Sequence, residues 1–167
     1  AYNGCLRAHR PASFVFAEDC RPDSLAKFRA VLLVSQTVEL DPPLQAALQT
    51  AMKSNIPIYT DQTSRPEVLQ EFSPIRLELD FTRLEKEHHL LNDDSAGWMY
   101  REIILDHAAG LAEAWKSAVP PVARCDQPEV LLTERRWGEA RVLWAVNDAA
   151  VPLEPGQLWR VSLAVGS

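Results

Sequence analysis

Glycine and cysteine are scarce: six and three in a chain of 167 residues. No GxGxxG run and no Walker-type GxxxxGK(S/T) run occurs, so no phosphate cradle and no cofactor is expected. Cys5, Cys20 and Cys125 never approach a Cys-x-x-Cys spacing. That excludes a disulfide framework and a zinc ribbon, and it leaves three small buried hydrophobes. No apolar stretch reaches the roughly 20 residues that span a bilayer, and no signal peptide is visible. Membrane partners are therefore not expected, and localisation leans to the cytoplasm. A cationic excess is missing too. The formal net charge is −6, which disfavours nucleic acid as a partner. The chain opens on Ala1 rather than Met, as in a processed chain or an excised piece.

What is present is ordinary for one globular domain with a proper core: 47% hydrophobic and 24% charged residues. The rest is organised around residues 28–61. Ala30 to Val34 is an apolar run without polar alternation, as in a strand buried on both faces. Leu44, Ala47, Leu48, Ala51 and Met52 recur at helical spacing. Asp41 stands at the N-cap and Pro42 at the first helical position, where a missing N–H leaves no bond unmade. Ile56 to Tyr59 is a second short apolar run. Two buried strands joined by a helix must be parallel. The class is α/β.

Around this unit, residues 2–10 look like the end of a helix stopped by Pro11, 13–16 like a strand, and 24–28 like a short helix capped by Asp23. Pro66 opens a short helix to Phe72, Ile75 to Leu79 alternates as an edge strand does, and 81–91 looks helical. The longest helix is expected from Ser95 to about Ala118, its apolar stripe including His107 and Trp115, with Gly110 inside it. The remainder changes character. Residues 128–137, 140–147 and 158–165 are strands rich in Val, Leu and Trp, and Gly138-Glu139 makes a tight hairpin. They are either an antiparallel extension of the sheet or the opening strands of a β-domain. The expected division is an α/β domain over 1–124 and a β-rich part over 125–167.

Three phrases carry a family likeness: Leu6 to Pro11, Phe14 to Asp19, and Leu25 to Val34. Together they resemble the class I glutamine-amidotransferase-like domain found within bacterial β-galactosidase-like carbohydrate-active proteins. Val142 to Asp148 resembles the strand that leads into the C-terminal β-domain of such proteins. The resemblance implies a flavodoxin-like parallel-rich sheet flanked by helices, with antiparallel strands at the C-terminus. It also implies that strand 13–16 joins that sheet, and that the family's opening strand would precede residue 1. Active amidotransferases carry a Cys on a glycine-flanked strand-to-helix turn, with a downstream His and Glu. None of the three cysteines lies in a GxCxG, so a non-catalytic domain is implied. The family's helix after the central strand usually ends in a glycine pair. Here Lys53-Ser54-Asn55 stands there.

Candidate chemistry is thin. Asp80, Glu85, Asp93, Asp94, Glu102 and Asp106 offer carboxylates for glycoside hydrolysis, but with 23 acids in the chain a pair arises by chance, and capping or solvated surface is the expected role. His88-His89 with Asp93-Asp94 lacks a metal-ligand spacing, because adjacent helical residues point about 100° apart. No metal is expected. Cys5 and His9 are four apart, without oxyanion donors in view. His107 is expected as a core or interface histidine satisfied by a carbonyl.

In open α/β sheets ligands bind at the carboxyl ends of strands. That makes Ser35, Gln36, Thr37, Asp61, Gln62 and Thr63 the candidate pocket. Trp98, His107, Trp115, Arg135, Arg136 and Trp137 are the candidate contact surface. Three functions follow in order. The first is a non-catalytic module of a larger carbohydrate-active protein, for assembly or for shaping a neighbouring site. The second is a hydrolase using acids at the strand ends. The third is a small-ligand binding domain. The expected partners are other domains of the same polypeptide or a second copy, with carbohydrate as a further candidate.

Overall fold

The computed structural model describes residues 1–83, 96–121, 123–125, 130–147 and 163–165. They form a mixed α/β chain with a three-stranded parallel sheet and separate antiparallel pairs. The parallel sheet contains β1 (Val31–Leu33), β2 (Ile58–Thr60) and β3 (Ile75–Arg76), in the order β1-β2-β3. Val31 pairs with Ile58 and Leu33 with Thr60, in parallel, as the apolar runs predict. β2 is the central strand, and all three of its residues are buried. β1 is an edge strand, and its residues are only half-buried.

Strand alternation splits the core in two. Val31, Leu33 and Ile58 face one side, where α2 (Pro42–Lys53) packs Ala47, Leu48 and Ala51. α3 (Pro66–Leu69) adds Leu69 to that side, and the 3-10 turn after it adds Phe72. Leu32 and Tyr59 face the other side. There they meet Cys5 of α1 (Tyr2–Arg7), with Ala108 and Leu111 of α4 (Ala96–Ala114). Trp115, just past α4, closes this side edge-on to Tyr59, ring centroids 5.7 Å apart. Helices therefore cover both faces of the parallel sheet. Gly110 of α4 is where Leu79 packs: a Cβ there would come within 2.5 Å of the Leu79 Cδ2.

The helix ends are specified locally. Asp41 is the N-cap of α2, though its side chain makes no capping bond. At the other end Asn55 takes the left-handed conformation, φ 57°. Its N–H donates to the Met52 carbonyl at 2.9 Å, and the Ile56 N–H donates to the Ala51 carbonyl at 2.9 Å. That is a Schellman close, and asparagine fills the role expected of a glycine. α1 ends the same way around His9, φ 57°, with the Arg10 N–H on the Cys5 carbonyl at 2.9 Å.

Two expectations are corrected. Residues 13–16 form no strand. The run is apolar, but among the described residues β1 pairs only with β2, and the segment offers Phe14 and Phe16 to solvent at 72% and 62%. Phe14 instead stacks on Tyr2 at 5.0 Å. Residues 24–28 lie in successive four-residue turns rather than a helix, because the Ser24 hydroxyl accepts the Arg21 N–H and holds a turn. Most of the helix expected at 81–91 lies outside the described residues.

The C-terminal part is antiparallel, as its composition predicts. β4 (Ala123–Cys125) pairs with β7 (Leu163–Val165), and β5 (Val130–Trp137) pairs with β6 (Ala140–Asn147). Of the strand expected over 158–165, only β7 is described. β4 runs across the expected division at 124/125. Gly138 at φ 59° makes the two-residue β5–β6 turn, a conformation that disfavours residues with a Cβ.

Candidate functional site

The carboxyl ends of β1 and β2 come together, and Asp61 is their centre. Its side chain is fully buried. Asp61 Oδ1 accepts from the Ser35 N–H at 3.0 Å, the Ser64 N–H at 3.2 Å and the Ser64 hydroxyl at 2.6 Å. Oδ2 accepts from the Thr63 hydroxyl. The oxygens of Ser35 and Thr63 are bonded at 2.9 Å. A second layer extends the tie. The Gln36 N–H donates to Ser64 Oγ at 2.9 Å, and the Arg65 N–H donates to the Gln36 carbonyl at 2.9 Å. Ser35 sits at φ 52°, a left-handed conformation held by its bond to Asp61.

Of the six candidate pocket residues, Ser35, Asp61 and Thr63 are occupied with one another. Four donors surround one carboxylate, which accounts for a charge buried at no exposure. Gln62 is exposed, and its carbonyl accepts from Arg76 at 2.7 Å. Gln36 turns its amide back onto the Val38 carbonyl at 2.7 Å. Thr37 alone points out with no partner in these bonds and is exposed. The sequence reading missed Ser64, the residue that binds Asp61 twice. Its signal was the Asp-x-x-Ser spacing, a turn in which an Asx side chain meets the N–H three residues on.

The other candidate chemistry divides by place. Asp80 Oδ1 accepts from the Thr82 N–H at 2.9 Å and its hydroxyl at 2.6 Å, a capping role. Asp106 faces Arg83 across 3.3 Å in an exposed ion pair. Glu102 is exposed. Glu85, His88, His89, Asp93 and Asp94 lie outside the described residues. Among the described residues, no group of three or more His, Cys, Asp or Glu side chains is placed to hold a metal ion. No described helix is long and apolar enough to cross a membrane.

Cys5 is buried in α1, and burial pushes its thiol up to about 11. Burial also raises the Cys20 thiol, with Asp19 and Glu18 adding to the effect. Neither is poised as a thiolate nucleophile. His9 turns to the C-terminal strands instead of to Cys5. Its Nδ1 accepts the Cys125 N–H at 3.4 Å, so the proton sits on Nε2, which donates to the Val130 carbonyl at 3.0 Å. His9 thereby ties the end of α1 to β4 and β5. Arg10 beside it donates to the carbonyls of Val119 at 2.7 Å and Ala112 at 3.4 Å, a cation on the end of α4.

Of the expected contact surface, His107 and Trp115 are inside. His107 is 7% exposed, bonds through Nε2 to the Asp80 carbonyl at 3.0 Å and meets the Phe81 ring edge-on. Trp115 is 5% exposed and packs on Tyr59. Their apolar bodies belong to the stripe of α4, so the core covers them. Arg135 is exposed and Trp137 is 87% exposed on the β5–β6 ribbon. The side chains of Trp98 and Arg136 lie outside the described residues.

Two of the cavities among the described residues open to solvent. One of about 200 Å³ is lined by α1, Phe81 and α4, with His107 at its wall. The other, about 270 Å³, lies between the end of α2 and Ile75. Neither is lined by the Asp61 cluster. No protein-family model, curated protein or solved structure matches the chain. What the residues define is a class: an α/β chain whose parallel sheet closes at its carboxyl ends on a buried aspartate.

Proposed function

We propose that the chain is a non-catalytic, amidotransferase-like module of flavodoxin-like type. It would belong to a larger bacterial carbohydrate-active protein and serve assembly or the shaping of a neighbouring site. One observation carries the reading. Where an open α/β sheet would place its chemistry, this chain has a carboxylate with no exposure and four donors on its two oxygens. A group so held cannot approach a substrate as acid, base or nucleophile. The thiols support the same conclusion, since burial holds Cys5 and Cys20 in the protonated form. The family phrases over 6–34 supply the amidotransferase likeness, and the exposed Phe14 and Phe16 supply apolar surface for a neighbour.

The test is an assay of the isolated chain on aryl-glycosides and on glutamine-type amides. Absence of turnover is the expected result. Turnover that follows the chain through gel filtration overturns the proposal.

A further inference from the structure

The β5–β6 ribbon has two unlike faces. Residues directly opposite in an antiparallel pair share a face. Val130 and Leu132 on β5 are buried, and Leu143 on β6 packs against them and Ala123. The other face carries Trp137, Trp144, Val142, Val146, Thr133 and Arg135. The register places Thr133 opposite Trp144 and Arg135 opposite Val142. Trp137 is 87% exposed and Trp144 59%, with Val142 and Val146 also exposed. An exposed tryptophan is uncommon, and two on one ribbon face call for an occupant.

Dimensions select the occupant. An eight-residue ribbon is roughly 27 Å long and only about 10 Å wide, a strip narrower than the broad patch behind the roughly 800 Å² per partner buried in a stable protein complex. The face is too narrow to hold a second copy of this chain by itself. It suits a ligand that is long, thin and apolar on its flat sides. Trp144 lies opposite Thr133, four residues from Trp137, so the backbone positions that carry the two rings are roughly 14 Å apart. No single sugar ring touches both, but a chain of sugars does. A pyranose turns its C–H face toward an indole, whose π face is electron-rich. Thr133 and Arg135 lie between the two rings and offer a hydroxyl and guanidinium donors to ring hydroxyls. The net charge of −6 disfavours a polyanion such as single-stranded nucleic acid, which would also stack on indoles.

We infer that the outer face of the β5–β6 ribbon is a binding platform for a neutral linear polysaccharide, with Trp137 and Trp144 as its two stacking sites. This goes beyond the module reading and does not depend on it, because a module for assembly need bind no glycan.

Native affinity electrophoresis of the chain is the test, in gels cast with hydroxyethylcellulose, arabinoxylan, galactomannan or dextran. Retardation is expected in at least one gel. Trp137→Ala and Trp144→Ala should each weaken it roughly 5- to 10-fold, and free glucose or galactose should not compete. Both rings are exposed, so folding should survive, and circular dichroism checks this. Migration unchanged in all four gels overturns the inference, as does retardation that both variants retain. Light scattering that shows a dimer lost in Trp137→Ala also overturns it, in favour of self-association. Enzymatic turnover would defeat the proposed function and leave this inference standing.

Discussion

Replacing Asp61 with alanine removes the acceptor for two backbone N–H groups, of Ser35 and Ser64, and for the hydroxyls of Ser64 and Thr63. The hydroxyls can turn elsewhere; Thr63 already faces Ser35 Oγ at 2.9 Å. The amides cannot. Each of the two donors left without a partner costs about 1–3 kcal/mol, so Asp61→Ala should destabilise by about 2–6 kcal/mol. Asp61→Asn is the sharper probe. Its amide oxygen keeps the three donors now on Oδ1, and its NH2 can donate to Thr63, which then donates to Ser35. Bond number is preserved, and only the charge assistance is lost, about 1–2 kcal/mol. Urea unfolding followed by tryptophan fluorescence measures both, and the slope with urea should stay constant. If both variants fall within about 0.5 kcal/mol of the parent, the tie is not structural and the reasoning fails. If Asn destabilises as much as Ala, charge rather than bond count governs the site.

Other outcomes follow from the same contacts. Burial lowers the pKa of His9 and of His107, so the folded state favours their neutral forms. Their contribution is complete above the unfolded value of about 6.5 and is lost as pH falls from there toward the folded value. His9→Asn, which tolerates the left-handed backbone, should flatten the decline in stability between pH 7.5 and 5.5; an unchanged slope refutes the assignment. Thiol labelling of the native chain at pH 8 should modify Cys125 well before Cys5, and equal rates would contradict the burial of α1. Gly110→Val drives a side chain into Leu79 and should destabilise by about 1–3 kcal/mol, or several degrees in Tm. Adding Leu79→Ala should recover part of that loss; strict additivity would show that the two do not touch.

The parts legible in the sequence were those specified by neighbours along the chain. Residues 30–34 and 56–59 announced a parallel pair, because an apolar run, a capped helix and a second run leave little else. The β5–β6 hairpin followed from Gly138-Glu139 between two Val- and Trp-rich stretches. The stop of α2 at Asn55 was harder, since the same turn is more often made by glycine. Tertiary choices were not legible. Residues 13–16 have a strand's apolar, aromatic composition, yet pairing needs a partner edge, which a local pattern cannot report. His107 and Trp115 were recognised as part of the α4 stripe, but only packing against Phe81 and Tyr59 shows that their polar ends are inside too. At the candidate site the two strand-end loops expected to form a pocket do meet, at Asp61. Polar residues at strand ends look alike whether they greet a ligand or bind one another, and Ser64 decides between the two by occupying Asp61.

The most direct measurement of the central claim compares turnover by the parent chain and by Asp61→Asn. Both proteins are purified alike and assayed on the same aryl-glycosides and amides. A buried structural aspartate predicts that neither protein exceeds the buffer rate, while the variant alone unfolds at lower urea. Turnover by the parent that disappears in a folded Asp61→Asn would contradict it and make the aspartate a catalytic group.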